Sequence, residues 1–199
     1  NKSWESHYDP VWIEDRIYVS ALFHDPNPSA EFELLIHPKM SFGTAHHPTT
    51  YLMACFLLEC NLKGKKVLDF GCGTGILGIL ALKMQADQVT AIDIDEWAYL
   101  NAKENAALNQ VTAMEIIQGD SNEISDKKYD LILANVNKNV LLSDAQALKN
   151  ACRNKEKLIL SGLLEKDEVE IFDSYQKIGF QKLKTIKREG WIAVAMQLI

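Results

Sequence analysis

The segment KKVLDFGCGTGILGILALKMQADQVTAIDID, residues 65–95, contains three glycines at alternate positions and ends in two aspartates. Gly71, Gly73 and Gly75 follow an apolar run at alternate positions, and Asp93 closes the next apolar run. A residue without a Cβ lets the chain turn sharply and lets a ligand approach the backbone. A carboxylate at the end of the following strand commonly accepts hydrogen bonds from a ribose diol. The segment therefore predicts a binding site for a nucleoside-containing ligand.

The spacing of the glycines argues against a nicotinamide dinucleotide. A dinucleotide-binding turn reads G-x-G-x-x-G, and its third glycine would fall at Ile76. Here the turn reads G-C-G-T-G, and Asp69 precedes it on the predicted strand. A helix beginning near Gly75 would favour a ligand carboxylate at its N-terminus by about 0.3–1 kcal/mol. We expect the Asp69 charge to orient the turn, or to reach a ligand ammonium through water.

Alternating strand and helix patterns must hold this turn in place. Strands are predicted at residues 65–70, 88–92, 113–118, 129–136 and 157–164, and helices at 48–62, 75–84, 96–108, 140–151 and 165–178. This order predicts an α/β fold with a doubly wound, mostly parallel sheet. The final run, FQKLKTIKREGWIAVAMQLI, is broken at Glu189-Gly190, so a closing hairpin should insert one antiparallel strand. Before the sheet, the runs RIYVSALF and FELLIHP predict a short β-hairpin.

Composition narrows the class of protein further. The chain has 199 residues, of which 47% are hydrophobic, and this suits one globular unit. A net charge of −6 argues against a nucleic-acid-binding surface. The four cysteines lack the spacing of a metal site, and no apolar run has membrane-spanning length. We therefore expect a cytoplasmic monomer with reduced thiols, no metal, no membrane contact and no direct nucleic-acid partner.

The sequence VLDFGCGTG resembles motif I of the S-adenosylmethionine-dependent methyltransferases, whose cofactor has no pyrophosphate. In such a site Asp93 would bind both ribose hydroxyls, and each charge-assisted hydrogen bond would contribute about 1.5–3 kcal/mol. Ile94 would face the adenine ring. Asp120, at the end of the third predicted strand, is either an acceptor for the adenine amino group or an ordinary loop aspartate. The resemblance implies S-adenosyl-L-methionine as the cofactor.

Asn135 ends the fourth predicted strand, which in this architecture lies next to the methyl donor. Asparagine is also a common turn residue, so its position alone does not assign a role. The preceding residues, YDLILA, are apolar enough to bury a site, and an amide oxygen can accept a hydrogen bond from a substrate amine or from the cofactor. We predict Asn135 as the catalytic residue and as a cofactor contact.

Two further stretches, SFGTAHHPTT at 41–50 and LILANVNKNVLL at 131–142, resemble the bacterial methyltransferases of the large-subunit ribosomal protein L11. The resemblance extends from about Trp4 to the end of the chain and implies a Rossmann-like methyltransferase. It implies a loop over the cofactor formed by Phe42, Gly43 and Thr44. Cofactor contacts are implied for Thr50, Gly71, Asp93 and Asn135.

The same loop departs from the family at one position. The family usually has glycine where this chain has Ala45, and alanine would be strained there if the position requires a positive φ. At the start of the following helix, we predict that Thr49 caps backbone N–H groups and that Thr50 points at the ligand. His47 is expected to fix the loop ahead of Pro48, and His46 to face solvent.

The resemblance implies a hairpin and cofactor-covering loop over residues 1–47 and a methyltransferase domain over 48–199. It also implies that the family's N-terminal substrate-recognition domain is not part of these residues. The expected function is transfer of methyl groups to lysine ε-amines and the N-terminal α-amine of ribosomal protein L11. The alternatives are a methyltransferase of another protein, small-molecule or nucleic-acid amine, and a cofactor-binding module with little activity.

Overall fold

The computed structural model describes residues 9–37, 39 and 42–199. The strands are β1 (Val11–Ile13), β2 (Ile17–Ser20), β3 (Phe32–Leu35), β4 (Lys66–Phe70), β5 (Gln88–Asp93), β6 (Met114–Gln118), β7 (Tyr129–Asn135), β8 (Cys152–Leu164), β9 (Phe180–Arg188) and β10 (Trp191–Leu198). The α-helices are α1 (Pro48–Leu58), α2 (Ile76–Lys83), α3 (Glu96–Leu108), α4 (Lys138–Ser143), α5 (Ala145–Ala151) and α6 (Glu168–Lys177). Two 3₁₀ turns cover Ser121–Ile124 and Glu165–Asp167.

The main sheet has seven strands in the order β6-β5-β4-β7-β8-β10-β9. Strands β6, β5, β4, β7 and β8 run parallel, and β10 is antiparallel to both β8 and β9. The predicted mostly parallel sheet with one inserted antiparallel strand is therefore confirmed. Strand order reverses between β4 and β7, which is where ligands bind in open α/β sheets.

Helices cover both faces of this sheet because successive strand residues point to opposite sides. Val67 belongs to the core formed with α1 and α2, and its neighbour Leu68 belongs to the core formed with α4, α5 and α6. Both side chains are fully buried. This double coverage explains why β4 reads as a near-continuous apolar run.

The small N-terminal sheet corrects one prediction. The runs RIYVSALF and FELLIHP do not form a hairpin, since β2 and β3 pair in parallel with Ile17 opposite Phe32. The hairpin lies one strand earlier, between β1 and β2, and its turn residues Glu14 and Asp15 both have positive φ, 50° and 51°. Such a turn normally carries Asn-Gly or Asp-Gly, so Glu-Asp gave no hairpin signal. The segment 21–31 is long enough to return the chain to the same end of the sheet.

Other boundaries also differ from prediction, and the helix predicted over 48–62 ends at Leu58. The helix predicted over 140–151 is divided at Asp144 into α4 and α5. The helix predicted from residue 165 begins with a 3₁₀ turn and becomes α-helical at Glu168. Strand β8 begins at Cys152 rather than at residue 157, and the intervening residues RNKE are polar and partly exposed, so they lack an apolar strand pattern. Within the described ranges, no helix is both long and apolar enough to cross a bilayer.

Buried asparagines attach the N-terminal sheet to the main domain. Asn109, the C-cap of α3, accepts a hydrogen bond from Leu35 N at 3.0 Å and donates one to Leu35 O at 2.7 Å, as a residue of a neighbouring strand would. One turn earlier, Asn105 accepts from His37 N at 2.8 Å. Asparagines four residues apart on one helix face therefore satisfy the backbone that follows β3.

Candidate functional site

A cavity of about 590 Å³ opens at the carboxyl ends of β4, β5 and β7. Its volume is in the range of small-molecule sites. It is lined by Phe42, Phe70, Gly71, Gly73, Ile92, Asp93, Ile94, Gly119, Asp120, Ser121, Asn135, Val136, Asn137, Val140 and Asp144. The glycine turn, the aspartate that ends β5 and the asparagine that ends β7 thus meet at one place.

The glycine turn leaves no room for side chains. Gly71 and Gly73 have φ of 73° and 53°, which L-residues with a Cβ rarely adopt. A methyl group on Gly71 would lie 2.1 Å from Val136 Cγ1, and one on Gly73 would lie 2.3 Å from Phe42 O. Gly71 and Gly73 also line the cavity, so the backbone of this turn borders whatever fills it.

Asp93 links the glycine turn to the start of α3. Its Oδ2 accepts a hydrogen bond from Gly73 N at 2.9 Å, and its Oδ1 accepts one from Asp95 N at 3.0 Å. Each carboxylate oxygen has a second lone pair, so both can still accept from ligand hydroxyls. Asp95 in turn caps α3 by accepting from Trp97 N at 2.7 Å. The Asp93 carboxylate is thus held in a fixed orientation at the cavity wall.

The rim next to β6 contains two further carboxylates. Asp120 accepts from Asn122 N at 2.8 Å, so it shapes the 3₁₀ turn while also lining the cavity. Asp144 accepts from the Ser121 hydroxyl at 2.8 Å. Sequence analysis missed Ser121 and Asp144, because neither belongs to a motif and they meet only when the chain folds. Ile94 also lines the cavity and is 75% exposed.

Asn135 lies at the end of β7, and the hydrogen bonding of its side-chain amide oxygen is unusual. Asn135 Oδ1 is buried and has no hydrogen-bond partner among the residues described. A buried acceptor without a partner costs roughly 1–3 kcal/mol. Because Asn135 lines the cavity, a donor on a bound molecule would remove this cost. Thr50 Oγ1 is likewise buried without a partner in the described part of the chain, although Thr50 does not line the cavity.

The structure does not place Asp69 or Gly75 in the cavity wall. Asp69 is 1% exposed and accepts from Gly78 N in α2 at 2.9 Å. Burial raises the pKa of Asp69 to about 7, the hydrogen bond from Gly78 opposes this rise, and the Asp93 charge adds to it. Gly75 is the N-cap of α2 and packs against Ala102 of α3. Asp69 and Gly75 therefore contact helices α2 and α3 and support the turn without lining the cavity.

The predicted covering loop lies against the glycine turn. Thr74 donates from its backbone N to Phe42 O at 2.9 Å and from its hydroxyl to Gly43 O at 2.5 Å. Phe42 lines the cavity, whereas Gly43 and Thr44 line an adjoining depression of about 560 Å³ that shares Phe42. The loop is therefore positioned by backbone hydrogen bonds to the site that it borders.

Ala45 has the strained conformation that the sequence raised as a possibility. Its φ is 69°, and its side chain is 2% exposed. An L-residue with a Cβ pays roughly 1–2 kcal/mol in the left-handed region. The loop keeps its turn despite alanine, and the buried methyl group offsets part of the cost.

His47, and not Thr49, caps helix α1. His47 Nδ1 accepts from Thr49 N at 3.3 Å and lies 2.8 Å from the Thr49 hydroxyl, so the prediction for Thr49 is wrong. The His47 ring packs against Phe42 and Trp191, with ring centroids 4.9 and 4.7 Å apart. Burial lowers the pKa of His47, which favours the neutral ring that a cap acceptor requires. The predicted role of His47 in fixing the loop before Pro48 is confirmed. His46 is exposed, as predicted, and its ring contacts Asp9 O at 2.9 Å.

The charges of the cavity favour a cation. Asp93, Asp120 and Asp144 line it, and none of the described lining residues is lysine, arginine or histidine. Like charges repel strongly where water is partly excluded. A pyrophosphate is therefore disfavoured here, whereas a positively charged group is attracted.

A Rossmann-like sheet with a G-x-G-x-G turn after its first strand and an aspartate after its second defines the methyltransferase class of α/β folds. The sequence profile of the family described as "Ribosomal protein L11 methyltransferase (PrmA)" matches residues 1–198, and the chain belongs to this family.

Curated relatives agree with this family. The ribosomal protein L11 methyltransferase of Porphyromonas gingivalis is 43% identical over 196 residues, which cover 98% of this chain and 68% of that protein. The protein of the same name from Phocaeicola vulgatus is 40% identical, with coverage of 98% and 70%.

Solved structures share the fold. The ribosomal protein L11 methylase of Lactobacillus delbrueckii subsp. bulgaricus has a TM-score of 0.89 and 27% identity, and the match covers 96% of this chain and 99% of that chain. A methyltransferase from Pyrococcus furiosus has a TM-score of 0.69 at 17% identity, with coverage of 83% and 88%, which shows similarity of fold alone.

Proposed function

We propose that this chain is an S-adenosylmethionine-dependent N-methyltransferase that acts on amino groups of ribosomal protein L11. Membership of the L11 methyltransferase family supports the reaction and the substrate. The observation that carries the site is the buried, unpaired amide oxygen of Asn135 in a cavity that also contains Gly71 and Asp93. We further propose that the acceptors are lysine ε-amines and the N-terminal α-amine.

The cavity fits the cofactor in three respects. Its volume of about 590 Å³ suits a ligand of this size. Its carboxylates and its lack of cations among the described lining residues suit a sulfonium and oppose a pyrophosphate. The unpaired amide oxygen of Asn135 in the cavity wall is an acceptor, and an amine N–H beside the bound cofactor would be its donor.

Each residue has a separate part in binding. Asp93 would accept from the ribose hydroxyls with the lone pairs that Gly73 and Asp95 leave unused. Ile94 and Val140 would provide apolar contact to the adenine. The backbone of Gly71 and Gly73, which lines the cavity, would hold the amino acid end. When bound, the cofactor supplies an electrophilic methyl group on a positively charged sulfur.

The acceptor amine must lose its proton before it can act as a nucleophile. A free lysine has a pKa near 10.4, so neutralising it at pH 7 costs about 4.6 kcal/mol. The apolar side chains of Phe70 and Val136 beside Asn135 disfavour the charged amine by removing water. Asn135 Oδ1 would accept a hydrogen bond from an amine N–H and so align its lone pair with the methyl group. Alignment of this kind accounts for much of the acceleration of bimolecular reactions.

The test is incubation of the purified protein with L11 and cofactor labelled in the methyl group, followed by mass spectrometry of the product. The expected result is added methyl groups on lysine ε-amines or on the N-terminal amine of L11. Cofactor binding without transfer would instead support a binding module. Transfer to RNA or to a small amine, but not to L11, would overturn the proposed substrate.

A further inference from the structure

The peptide that follows Asn135 is enclosed by glycines from two different strands. A methyl group on Gly71, at the end of β4, would lie 2.1 Å from Val136 Cγ1. A methyl group on Gly162, in β8, would lie 2.1 Å from the Val136 carbonyl oxygen. Neither separation is possible for real atoms, so Val136 occupies space that only glycine leaves open on both sides.

The contact with Gly162 involves main chain and the contact with Gly71 involves a side chain. At Gly162 the added methyl would also lie 2.7 Å from Val136 C and 3.2 Å from Val136 N. A rotation about a side-chain bond cannot relieve such a contact. Any side chain at position 162 must therefore displace the Val136 peptide itself, by on the order of 1 Å to reach an ordinary contact distance.

A β-bulge brings Gly162 to this place. The register between β8 and β10 shifts between Ile192 and Val194, so Ser161 and Gly162 stand opposite the single residue Ala193. Gly162 has a φ of 84°, and the Ser161 hydroxyl donates to Ile192 O at 2.8 Å. Bulges are common beside active sites, where they redirect the chain.

We propose that Gly162 is a positioning residue of the active site, because it fixes the Val136 peptide and through it Asn135. Asn135 and Ser161 are register partners in the parallel pair β7 and β8, so Gly162 is adjacent to the predicted catalytic residue in the sheet. This inference rests on the proposed function, in which Asn135 aligns the acceptor amine. A misplacement of about 1 Å in such a group lowers turnover by roughly 100-fold.

A control variant separates this role from the backbone requirement for glycine. Gly64 has a φ of 73°, close to that of Gly162, but a methyl group there would meet no atom within 4 Å. Gly64→Ala therefore introduces the same kind of left-handed strain without moving a neighbour. Gly64 lies between α1 and β4, and it does not line the cavity.

The experiment compares the wild type, Gly162→Ala and Gly64→Ala for cofactor Kd by calorimetry, for kcat with L11, and for the midpoint of thermal unfolding. We expect Gly162→Ala to lower kcat roughly 10- to 100-fold, with a much smaller change in cofactor Kd. Gly64→Ala should lower the unfolding midpoint while leaving kcat near the wild-type value. Equal kcat in the two variants would overturn the proposal.

A second pair of variants covers the case in which Gly162→Ala does not fold. Val136→Gly frees the backbone at the enclosed peptide, whereas Val136→Ala shortens the side chain and keeps the backbone restrained. Because the Val136 side chain also excludes water, the proposal requires kcat to fall more from Val136→Ala to Val136→Gly than from the wild type to Val136→Ala, and a smaller fall would contradict it. A wild-type protein that transfers no methyl group to L11 would defeat the proposed function before either comparison is made.

Discussion

Asn105 of helix α3 joins the glycine turn to the N-terminal sheet. Its side-chain amide donates to Thr74 O at 2.9 Å, and its Oδ1 accepts from His37 N at 2.8 Å. Asn105 is fully buried, and Thr74 also holds the covering loop through Gly43 O. One side chain therefore fixes the positions of the turn and of the strand that precedes the covering loop.

Replacing Asn105 by alanine should destabilise both parts. The change leaves a buried carbonyl at Thr74 and an N–H at His37 without partners, which predicts a loss of about 2–4 kcal/mol in the free energy of unfolding. Cofactor affinity should fall as well, because Thr74 belongs to the glycine turn. Urea denaturation and calorimetry measure the two effects. Asn101→Ala is the comparison, since the Asn101 side chain donates to His37 O over a longer distance, 3.4 Å, and its loss should cost less.

Asp93→Ala should weaken cofactor binding strongly. Loss of charge-assisted hydrogen bonds to a ribose predicts at least a roughly 100-fold increase in cofactor Kd. Because Asp93 also accepts from Gly73 N and Asp95 N, part of the loss would come from a looser turn. Asp95→Ala provides the control: it removes the cap of α3 and costs stability, yet it should leave the Kd nearly unchanged. Undiminished affinity in Asp93→Ala would remove the ribose assignment.

Asn135→Ala should reduce turnover more than affinity. The amide oxygen is expected to bind the reacting amine, and its removal predicts a roughly 10- to 100-fold lower kcat. The cofactor keeps its contacts with Asp93 and Gly71, so its Kd should change less. Asn139→Ala, an exposed asparagine of the next helix, is the matched control. A normal kcat in Asn135→Ala would exclude the catalytic role.

Much of the site can be predicted from the sequence because local sequence patterns encode it. Gly71, Asp93 and Asn135 each end a strand that apolar runs identify, and parallel strands bring such ends to one edge. Phe42 and Ile94, each of which adjoins a recognisable motif, also line the cavity. The prediction was too broad at Asp69, which belongs to the motif in sequence but faces α2.

Contacts between segments that are far apart along the chain could not be predicted from the sequence. The hydrogen bond between Ser121 and Asp144 depends on the break between α4 and α5 at Asp144, and no spacing along the chain predicts this pair. Gly162 lies in a strand that pattern reading finds, yet its approach to Val136 depends on a bulge between β8 and β10. The parallel pairing of β2 and β3 similarly depends on where the chain returns after residue 21, which the composition of the connection does not fix.

Asp69 gives the protein a specific dependence of stability on pH. Burial raises its pKa from 3.8 to about 7, so between these values the folded protein holds a proton that the unfolded chain releases. A raised carboxyl pKa contributes stability that is complete below about pH 3.8 and is lost as the pH rises through about 7. Asp69→Asn cannot ionise and can still accept the hydrogen bond from Gly78 N.

We therefore expect the free energy of unfolding of Asp69→Asn, minus that of the wild type, to increase as the pH rises from 4 to about 7. The rise in the pKa of Asp69 from 3.8 to about 7 sets an upper limit of about 4 kcal/mol on the change in this difference. Urea denaturation of both proteins at intervals across this range measures it, and the subtraction cancels the contributions of all other titrating groups. A difference that stays constant with pH would mean that Asp69 ionises in the folded protein at its ordinary pKa, and that the carboxylate is stabilised by the turn behind the cavity.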